Sequence, residues 1–340
     1  MASKPLRWGV LGTSFISHTV AASIAASPSS QITAVFGRNA DRLAAFAQKF
    51  SIPRTYDSIS ALLGDADVDV VYVGLPSHLH AEAAIAAAEK GKAVLSEKSL
   101  TTTMKDAHHL IQTVEKQGVF FVEGLMYLSH PVHQKLAEII TSGKLGSIKG
   151  VQGYYAANIW KKANPLGMGT IYNLGCYPVS LLHFIMQTAY GAGAVKSRQA
   201  IQGVGNLSED GSHVRDASLA VRFEGSGVLA TIQSTDSFGN DFSFAIQGDK
   251  AVLRFKTNPW LPPAGDSVME IKTYGSGGGI EEVTVPSPLD AFGWQVKKVE
   301  ECVSAGVKEA ARPSPRWEDS LEIMELLTEW EDAITKRKTD

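Results

Sequence analysis

Two patterns of hydrophobic and polar positions divide the chain. In the first third, short apolar runs alternate with longer segments whose apolar residues recur at helical spacing. The pattern predicts strands at Leu6–Leu11, Gln31–Phe36, Val68–Val73, Ala93–Ser96 and Val119–Val122, and helices at Phe15–Ala26, Ala40–Phe50, Ala81–Lys90 and Thr103–Lys116. Strands that alternate with helices are typical of parallel strands joined by right-handed crossovers. Residues 1–125 are therefore predicted to form an α/β domain with a doubly wound parallel sheet.

After residue 125 the strands follow one another without long helices between them. Turns rich in glycine, aspartate and serine separate them, a pattern that favours a mostly antiparallel sheet. The predicted strands are Ile148–Ala156, Ser197–Val204, Ala217–Phe223, Gly227–Thr235, Phe242–Gly248, Ala251–Phe255, Val268–Thr273 and Glu282–Val285, and the predicted helices are His133–Thr141, Gly169–Gln187, Ala291–Ala305 and Trp317–Lys336. We predict a second, α+β domain over residues 126–340 with a large, open, mostly antiparallel sheet. For the last helix, packing back on the first domain is an alternative.

Composition and charge narrow the function classes. The 340 residues carry a net charge of −3, so no basic surface for nucleic acid is expected. No apolar run approaches the roughly 20 residues of a membrane helix, so no membrane partner is expected. Cys176 and Cys302 are too few for a disulfide framework, which fits a reducing, cytoplasmic location. Closely spaced histidines lack an accompanying cysteine or carboxylate cluster, so no metal site is predicted.

The segment after the first predicted strand is similar to a dinucleotide-binding turn. The usual pattern is Gly-x-Gly-x-x-Gly, and here Gly12–Ser17 reads Gly-Thr-Ser-Phe-Ile-Ser. Ser14 is small enough to let backbone approach a pyrophosphate, and the helix start supplies N–H groups to an anion. Gly12, Thr13, Ser14, Phe15 and Ile16 are therefore candidate cofactor contacts. The alternative is a plain junction between strand and helix.

The end of the second predicted strand bears on which dinucleotide would bind. An NAD site usually has a carboxylate there, on the ribose 2′-hydroxyl. This chain instead has Arg38, with Arg42 a turn further on. A guanidinium suits the 2′-phosphate of NADP(H) through paired charge-assisted hydrogen bonds. NADP(H) is therefore predicted over NAD(H), and two solvated arginines at a helix start are the alternative.

Three further stretches resemble one known family. They are Val71–His80, Gly91–Ser99 with its Glu-Lys pair, and Gly167–Pro178 with its Gly-x-Gly-x-x-x-Asn-x-Gly-x-Tyr spacing. Together with the closing stretch Trp317–Ser320, they are similar to the glucose–fructose oxidoreductase and inositol dehydrogenase family, Gfo/Idh/MocA. The resemblance runs in order along nearly the whole chain and looks closest to the dihydrodiol and sugar dehydrogenase branch. It implies a Rossmann domain followed by a substrate-binding and oligomerisation domain.

The resemblance also implies which residues meet the cofactor. The turn after the Val68–Val73 strand contacts the cofactor in the family, and the Glu-Lys pair lies beside the nicotinamide. The implied positions in this chain are Leu75, Pro76, Ser77, His80, Glu97 and Lys98. The resemblance further implies a homodimer or homotetramer formed through the C-terminal sheet.

For the chemistry, the resemblance implies Lys98 and Tyr177 as catalytic residues. We expect Tyr177 to act as acid and base, with the Lys98 ammonium lowering the pKa of its phenol; direct proton transfer by Lys98 is the alternative. Asn173 is expected to orient the substrate or Lys98. Trp160 is a candidate contact for the apolar face of a sugar ring, with loop packing as its alternative. The predicted activity is hydride transfer to or from a sugar, cyclic polyol or related diol or carbonyl compound.

Three positions depart from the family pattern. Ser99 replaces a proline, Asn173 stands where aspartate is common, and Leu128 stands where relatives of this branch often carry arginine. An asparagine hydrogen-bonds but cannot take up a proton. These changes would alter the substrate or weaken catalysis, so a nucleotide-binding sensor or regulator with the same fold is the alternative function.

Overall fold

The computed structural model describes residues 4–164 and 166–335. Its first sheet consists of β1 (Leu6–Leu11), β2 (Ser30–Phe36), β3 (Arg54–Tyr56), β4 (Val70–Val73), β5 (Ala93–Glu97) and β6 (Phe121–Gly124). The connecting helices are α1 (Phe15–Ala26), α2 (Ala40–Lys49), α3 (Ile59–Leu63), α4 (His80–Glu89) and α5 (Met104–Gln117). All neighbouring strands are parallel, in the order β3-β2-β1-β4-β5-β6. The predicted doubly wound sheet is confirmed, and its strand order reverses between β1 and β4, where such sheets bind ligands.

Local signals fix the ends of these helices. At α5 the Thr103 side chain accepts a hydrogen bond from the Asp106 N–H, and Gly118 ends the helix in a left-handed conformation at φ +62°. A hydroxyl before the first turn and a glycine after the last turn satisfy backbone groups that the helix leaves unpaired. The predicted start and stop of this helix are thereby confirmed.

The second sheet is mostly antiparallel, as predicted. Its strands are β7 (Ile148–Ala157), β8 (Arg198–Leu207), β9 (Val214–Phe223), β10 (Leu229–Thr235), β11 (Asn240–Gly248), β12 (Ala251–Phe255), β13 (Gly265–Thr273) and β14 (Ile280–Ser287). The accompanying helices are α6 (Pro131–Thr141), α7 (Trp160–Ala163), α8 (Cys176–Tyr190), α9 (Ala291–Ser304) and α10 (Trp317–Thr335). The strand order is β14-β13-β12-β11-β7-β10-β9-β8, with one parallel pair, β7 and β10.

One face of this sheet is covered and the other is open. Along β10, Ala230 and Ile232 are buried while Thr231 and Gln233 are exposed, because successive side chains of a strand point to opposite faces. The buried face packs under α8. The exposed face carries a shallow groove lined by Gln152, Tyr154, Gln202, Ser218, Thr231 and Gln233.

The structure corrects several predicted elements. The short β3 and α3 were not predicted. The strand expected at Val119–Val122 is Phe121–Gly124, because its ladder with β5 begins at Phe121 opposite Val94. Val119 and Phe120 are buried but lie before that ladder, and apolar character alone does not distinguish strand from buried loop.

The long helix expected at Gly169–Gln187 also begins differently. Gly169 has φ +77° and lies outside the helix. A single π-helical turn over Ile171–Gly175 precedes α8, which continues to Tyr190. Such turns are rare and occur frequently at functional sites.

By contacts the chain divides into two compact units. The first is the chain up to Ser129 together with Phe292–Leu321, and the second is His130–Ala291 with the chain from Glu322 onward. Val296 and Val299 of α9 lie in the hydrophobic core of the first unit. Within the described residues, no helix combines the length and the apolar character needed to cross a membrane.

Candidate functional site

The turn between β1 and α1 is built so that backbone can approach closely. Gly12 has φ +103°, and a Cβ added there would lie 2.7 Å from the Gly74 carbonyl oxygen. Ser14 caps α1, its hydroxyl accepting the Ser17 N–H at 3.3 Å. The Ser17 hydroxyl is itself buried, 3.4 Å from the same Gly74 oxygen. The two serines that replace glycines therefore tie this turn to the end of β4.

The start of α1 fits a dinucleotide phosphate. The helix is 12 residues long, and its N-terminus presents backbone N–H groups and a positive dipole to an anion. Thr13 and Ile16 are partly exposed, and the Phe15 ring is 53% exposed. The five predicted contacts from Gly12 to Ile16 thus occupy one turn at the switch point of the sheet, with Gly12 buried and the other four partly or fully exposed.

Arg38 and Arg42 follow the neighbouring strand β2. Both side chains are exposed, and neither forms a salt bridge with the residues that the structure describes. Asn39 caps α2 by accepting the Arg42 N–H at 2.9 Å, which fixes the start of that helix. No carboxylate side chain occurs at the β2 end, residues 37–39. Two guanidinium groups without carboxylate partners suit a ribose 2′-phosphate.

A buried histidine joins the loops that follow β4 and β5. The His80 ring nitrogens lie 2.8 Å from the Leu75 carbonyl oxygen and 2.9 Å from the Ser99 carbonyl oxygen. The ring is 1% exposed, so its polar atoms are engaged inside the unit. Pro76 and Ser77 lie on the same connection at the N-terminal side of α4. His80 therefore acts on the predicted cofactor loops through their backbone.

The end of β5 carries the Glu-Lys pair. The buried Glu97 carboxylate accepts the Tyr72 hydroxyl at 2.9 Å, and burial raises its pKa while the adjacent Lys98 charge lowers it. On the neighbouring strand β6, burial raises the pKa of Glu123 to about 7. Lys98 is partly exposed at the carboxyl end of the sheet. Lys98 thus directly follows Glu97, the last residue of β5, whose carboxylate is held in place by the Tyr72 hydroxyl.

In the second unit, Tyr177 lies in the first turn of α8. It is 8% exposed, and its ring meets the Tyr155 ring edge-on with centroids 5.6 Å apart. Tyr155 in turn packs on Trp260 at 4.6 Å. Aromatic neighbours of this kind fix a ring through packing. The Tyr177 ring is therefore fixed by its packing against Tyr155 and has limited access to solvent.

Asn173 and Trp160 both form hydrogen bonds to Asp236, Asn173 to its side chain and Trp160 to its backbone. Asn173 lies in the π-helical turn and donates to the Asp236 carboxylate at 2.7 Å. The Trp160 N–H donates to the Asp236 carbonyl oxygen at 2.6 Å, and the Arg215 guanidinium carbon lies 5.0 Å from the Trp160 ring centroid. Asp236 and Arg215 were not predicted from the sequence. Asp236 stands in a short polar stretch after β10 that is typical of an ordinary turn.

Each unit thus gathers its own share of the predicted residues. The first unit brings the Gly12 turn, Leu75, His80 and the Glu97-Lys98 pair to the carboxyl ends of β1, β4 and β5. The second brings Asn173 and Tyr177 onto successive turns of one helical segment, with Trp160 beside Asp236. The predicted action of Lys98 on Tyr177 stays a prediction. No group of three or more potential metal ligands occurs within the described ranges.

Comparison with known proteins extends these observations. A model of an oxidoreductase family with an NAD-binding Rossmann fold matches residues 6–125, and a model of the GFO/IDH/MocA C-terminal domain matches residues 133–254. Among curated proteins, D-xylose 1-dehydrogenase (NADP(+)) 2 of Haloferax volcanii is 26% identical, over 95% of this chain and 95% of its own. Mouse (Mus musculus) trans-1,2-dihydrobenzene-1,2-diol dehydrogenase is 26% identical over 97% of each chain.

A solved structure agrees with these matches. The chain is similar to a 3-ketoreductase from Actinomadura kijaniata in complex with TDP-benzene and NADP, with a TM-score of 0.84 and 26% identity. That similarity covers 97% of this chain and 98% of the other.

Proposed function

The chain belongs to the Gfo/Idh/MocA oxidoreductase family, and from this premise we propose an NADP(H)-dependent enzyme that transfers a hydride to or from a carbon bearing oxygen. Its substrate would be a sugar, a cyclic polyol or a related diol or carbonyl compound. Curated relatives named for D-xylose and for a dihydrobenzene diol support this substrate class. The family resemblance and the oxidoreductase class predicted from the sequence are thereby confirmed.

The observation that carries the proposal is the turn after β1. Only glycine fits at position 12, because a side chain there would meet the Gly74 carbonyl oxygen. Gly12, Thr13, Ser14, Phe15 and Ile16 would hold the pyrophosphate at the start of α1. The turn residues Leu75, Pro76 and Ser77 would support the cofactor from the end of β4, with Glu97 and Lys98 toward its nicotinamide. His80 would hold these loops through the Leu75 and Ser99 carbonyl groups.

NADP(H) is assigned because of the residues after β2. Arg38 and Arg42 are exposed cations at the place where an NAD site needs a carboxylate. The NADP in the similar 3-ketoreductase structure and the cofactor named for the D-xylose enzyme support the same choice. When bound, the cofactor supplies or accepts the hydride.

The proton is handled by residues of this chain. Tyr177 gives a proton to the substrate oxygen or takes it, and Lys98 holds that oxygen and favours the phenolate. Asn173 and Trp160 position the substrate, by a hydrogen bond and by an apolar ring face. The placement of Tyr177 by ring packing and of Lys98 by the anchored Glu97 supports these roles.

The protein is further proposed to form a homodimer or homotetramer through the open face of the second sheet. The groove on that face is lined by uncharged side chains such as Gln152, Tyr154 and Thr231. Uncharged surface of this kind is compatible with burial against a second copy.

The cofactor assignment is tested by titration with NADPH and NADH, followed by tryptophan fluorescence. We expect clearly tighter binding of NADPH, and Arg38→Ala should weaken NADPH binding while leaving NADH binding nearly unchanged. Arg222→Ala, which removes an exposed arginine from β9, is the matched control. Failure to bind either nucleotide would remove the cofactor assignment and the enzymatic proposal with it.

The proton role is tested by turnover of D-xylose and trans-1,2-dihydrobenzene-1,2-diol with NADP⁺. Tyr177→Phe keeps the ring packing but removes the hydroxyl, so turnover should fall by roughly 10²–10⁴-fold with NADPH affinity retained. Unchanged turnover would take Tyr177 out of the proton path. NADPH binding without turnover of any sugar or diol in a wider panel would favour the regulator function instead.

A further inference from the structure

The second unit contains a buried carboxylate to which the proposed reaction assigns no role. Asp236 is fully buried after β10. One of its oxygens accepts the Asn173 side-chain amide at 2.7 Å and the Asn164 side-chain amide at 3.2 Å. Its backbone carbonyl accepts the N–H groups of Ile159 and Trp160 at 2.9 and 2.6 Å. Asp236 therefore joins the start of α7, which carries Trp160, to the π-helical turn that carries Asn173.

These bonds determine which way two carboxamides face. A carboxylate only accepts hydrogen bonds, so Asn173 and Asn164 must both turn their nitrogens toward Asp236 and their oxygens away. A Cβ added at Gly167 would lie 2.7 Å from the Asn173 oxygen and 3.1 Å from the Asn164 oxygen. The Asn164 oxygen also accepts the Gly169 N–H at 3.2 Å. The Asn173 and Asn164 side-chain oxygens thus both face the segment that contains Gly167 and Gly169.

We propose that Asp236 is a positioning residue that makes Asn173 a hydrogen-bond acceptor, and not a donor, toward a substrate hydroxyl. The inference rests on the proposed function, since it assigns the polarity of the same substrate site. An unconstrained asparagine could offer either its oxygen or its amide hydrogens to the substrate. Held by Asp236, Asn173 selects compounds that donate a hydroxyl at that point. In this arrangement the Asp236 carboxylate bonds to the Asn173 amide nitrogen, and the Asn173 oxygen would contact the substrate.

The surroundings of Asp236 make this arrangement sensitive to charge. Burial raises the pKa of Asp236, the amides of Asn173 and Asn164 lower it, and the nearby Asp216 carboxylate raises it. The second Asp236 oxygen is buried and has no hydrogen-bond partner among the residues that the structure describes. The hydrogen bonds that the Asp236 carboxyl group takes from other side chains therefore come from the two amides, and a second carboxylate at position 173 would face it directly.

The test is a double-substitution cycle with Asp236→Asn, Asn173→Asp and the two combined. Asp236→Asn lets Asn173 present either end of its amide, so KM should rise by about tenfold to hundredfold. Asn173→Asp places two carboxylates in contact, so activity should fall as pH rises. The combined variant restores one carboxylate and one amide in contact, and its KM should return toward the wild-type value. NADPH affinity should be unchanged throughout.

A control variant removes a different carboxylate, the partly buried Glu331, next to the same turn. Glu331 accepts the Tyr172 hydroxyl at 2.9 Å, and burial raises its pKa as well. Glu331→Gln should leave KM nearly unchanged, because Asn173 keeps its partner. Equal effects of Glu331→Gln and Asp236→Asn would reduce Asp236 to a general structural residue and overturn the proposal.

Melting temperatures give a reading that needs no substrate. Asn173→Asp should melt lower in mildly alkaline than in mildly acidic buffer, since one carboxyl must be protonated to relieve the repulsion. Adding Asp236→Asn should remove that difference. Additive effects on KM in an active enzyme would overturn the role of Asp236 and leave the proposed function intact. Absence of turnover by the wild type would overturn the proposed function. If the two substitutions then affected each other only in the melting temperature, the positioning role of Asp236 would be overturned as well.

Discussion

Glu123 shows how burial changes the chemistry of a single residue. It lies on β6, fully buried, and burial raises the pKa of its carboxyl group from 4.5 to about 7. Hydrogen bonds from the Ser320 side chain and the Leu100 backbone oppose that rise, as does the Lys98 charge, while Glu97 adds to it. Its ionisation therefore falls in the neutral range, on the strand next to β5, which ends at Glu97.

The first prediction follows from the direction of that shift. A carboxyl group whose pKa is higher in the folded state binds its proton more tightly there. The resulting stabilisation is fully present below pH 4.5 and is lost as pH rises to about 7. Glu123→Gln should flatten this loss and, in mildly alkaline buffer, raise the free energy of unfolding by roughly 1–3 kcal/mol. Denaturant unfolding across this range measures it.

The control for this experiment is Glu115→Gln, on the exposed side of α5. It removes the same charge without removing a buried group, so the dependence of stability on pH should match that of the wild type. An unchanged slope for Glu123→Gln would contradict the assignment of this titration to Glu123.

The turn from β1 into α1 depends on Gly12. Two effects act against a side chain there: the positive φ of +103° and the approach of the Gly74 carbonyl oxygen. Gly12→Ala should lower the free energy of unfolding by about 1–3 kcal/mol and weaken NADPH binding, because the turn must shift. Denaturant unfolding and the fluorescence titration measure the two effects separately.

A substitution at Gly118 distinguishes the effect of a positive φ from the effect of the contact with the Gly74 carbonyl oxygen. It also has a positive φ, +62°, but an added Cβ would meet nothing within 4 Å. Gly118→Ala should therefore cost about 1 kcal/mol in stability and leave NADPH affinity unchanged. Equal losses of NADPH affinity in both variants would show that the contact with Gly74 is not what shapes the binding turn.

Elements with their own local signals could be predicted from the sequence, and others could not. The hydroxyl cap at Thr103 and the glycine at 118 mark the ends of α5 in the sequence itself. The three-residue β3 carries no hydrophobic period, and the π-helical turn before α8 ends at Gly175, which packs closely against a distant part of the chain. A Cβ at Gly175 would come within 2.8 Å of the Trp330 ring, a contact across 155 positions that no local pattern contains.

Across the whole chain, the sequence predicts one part of the candidate site and not another. The order of strands and helices placed the Gly12 turn, Arg38 and the Glu97-Lys98 pair at the carboxyl ends of parallel strands. Asp236 was not predicted, because its contact with Asn173 joins positions 63 residues apart. Its neighbours in the sequence, Thr235 and Ser237, resemble an ordinary turn. A carboxylate that acts through another side chain leaves no spacing signal.

The proposed contact between copies through the open face of the second sheet can be tested at Thr231. Thr231 is exposed near the middle of β10, between β7 and β9, and lines the groove on that face. If two copies meet through this face, Thr231→Glu buries a carboxylate in the contact without a designed partner, which is strongly unfavourable. Light scattering after size exclusion should then show the oligomer of the wild type replaced by a single chain. The Thr231→Gln variant should remain assembled. Because glutamine is about the same size as glutamate but uncharged, this control distinguishes the effect of the charge from the effect of side-chain size. A wild type that elutes as one chain, or an oligomer unaffected by Thr231→Glu, would place the contact elsewhere or remove it, while NADPH binding would still test the function of each chain.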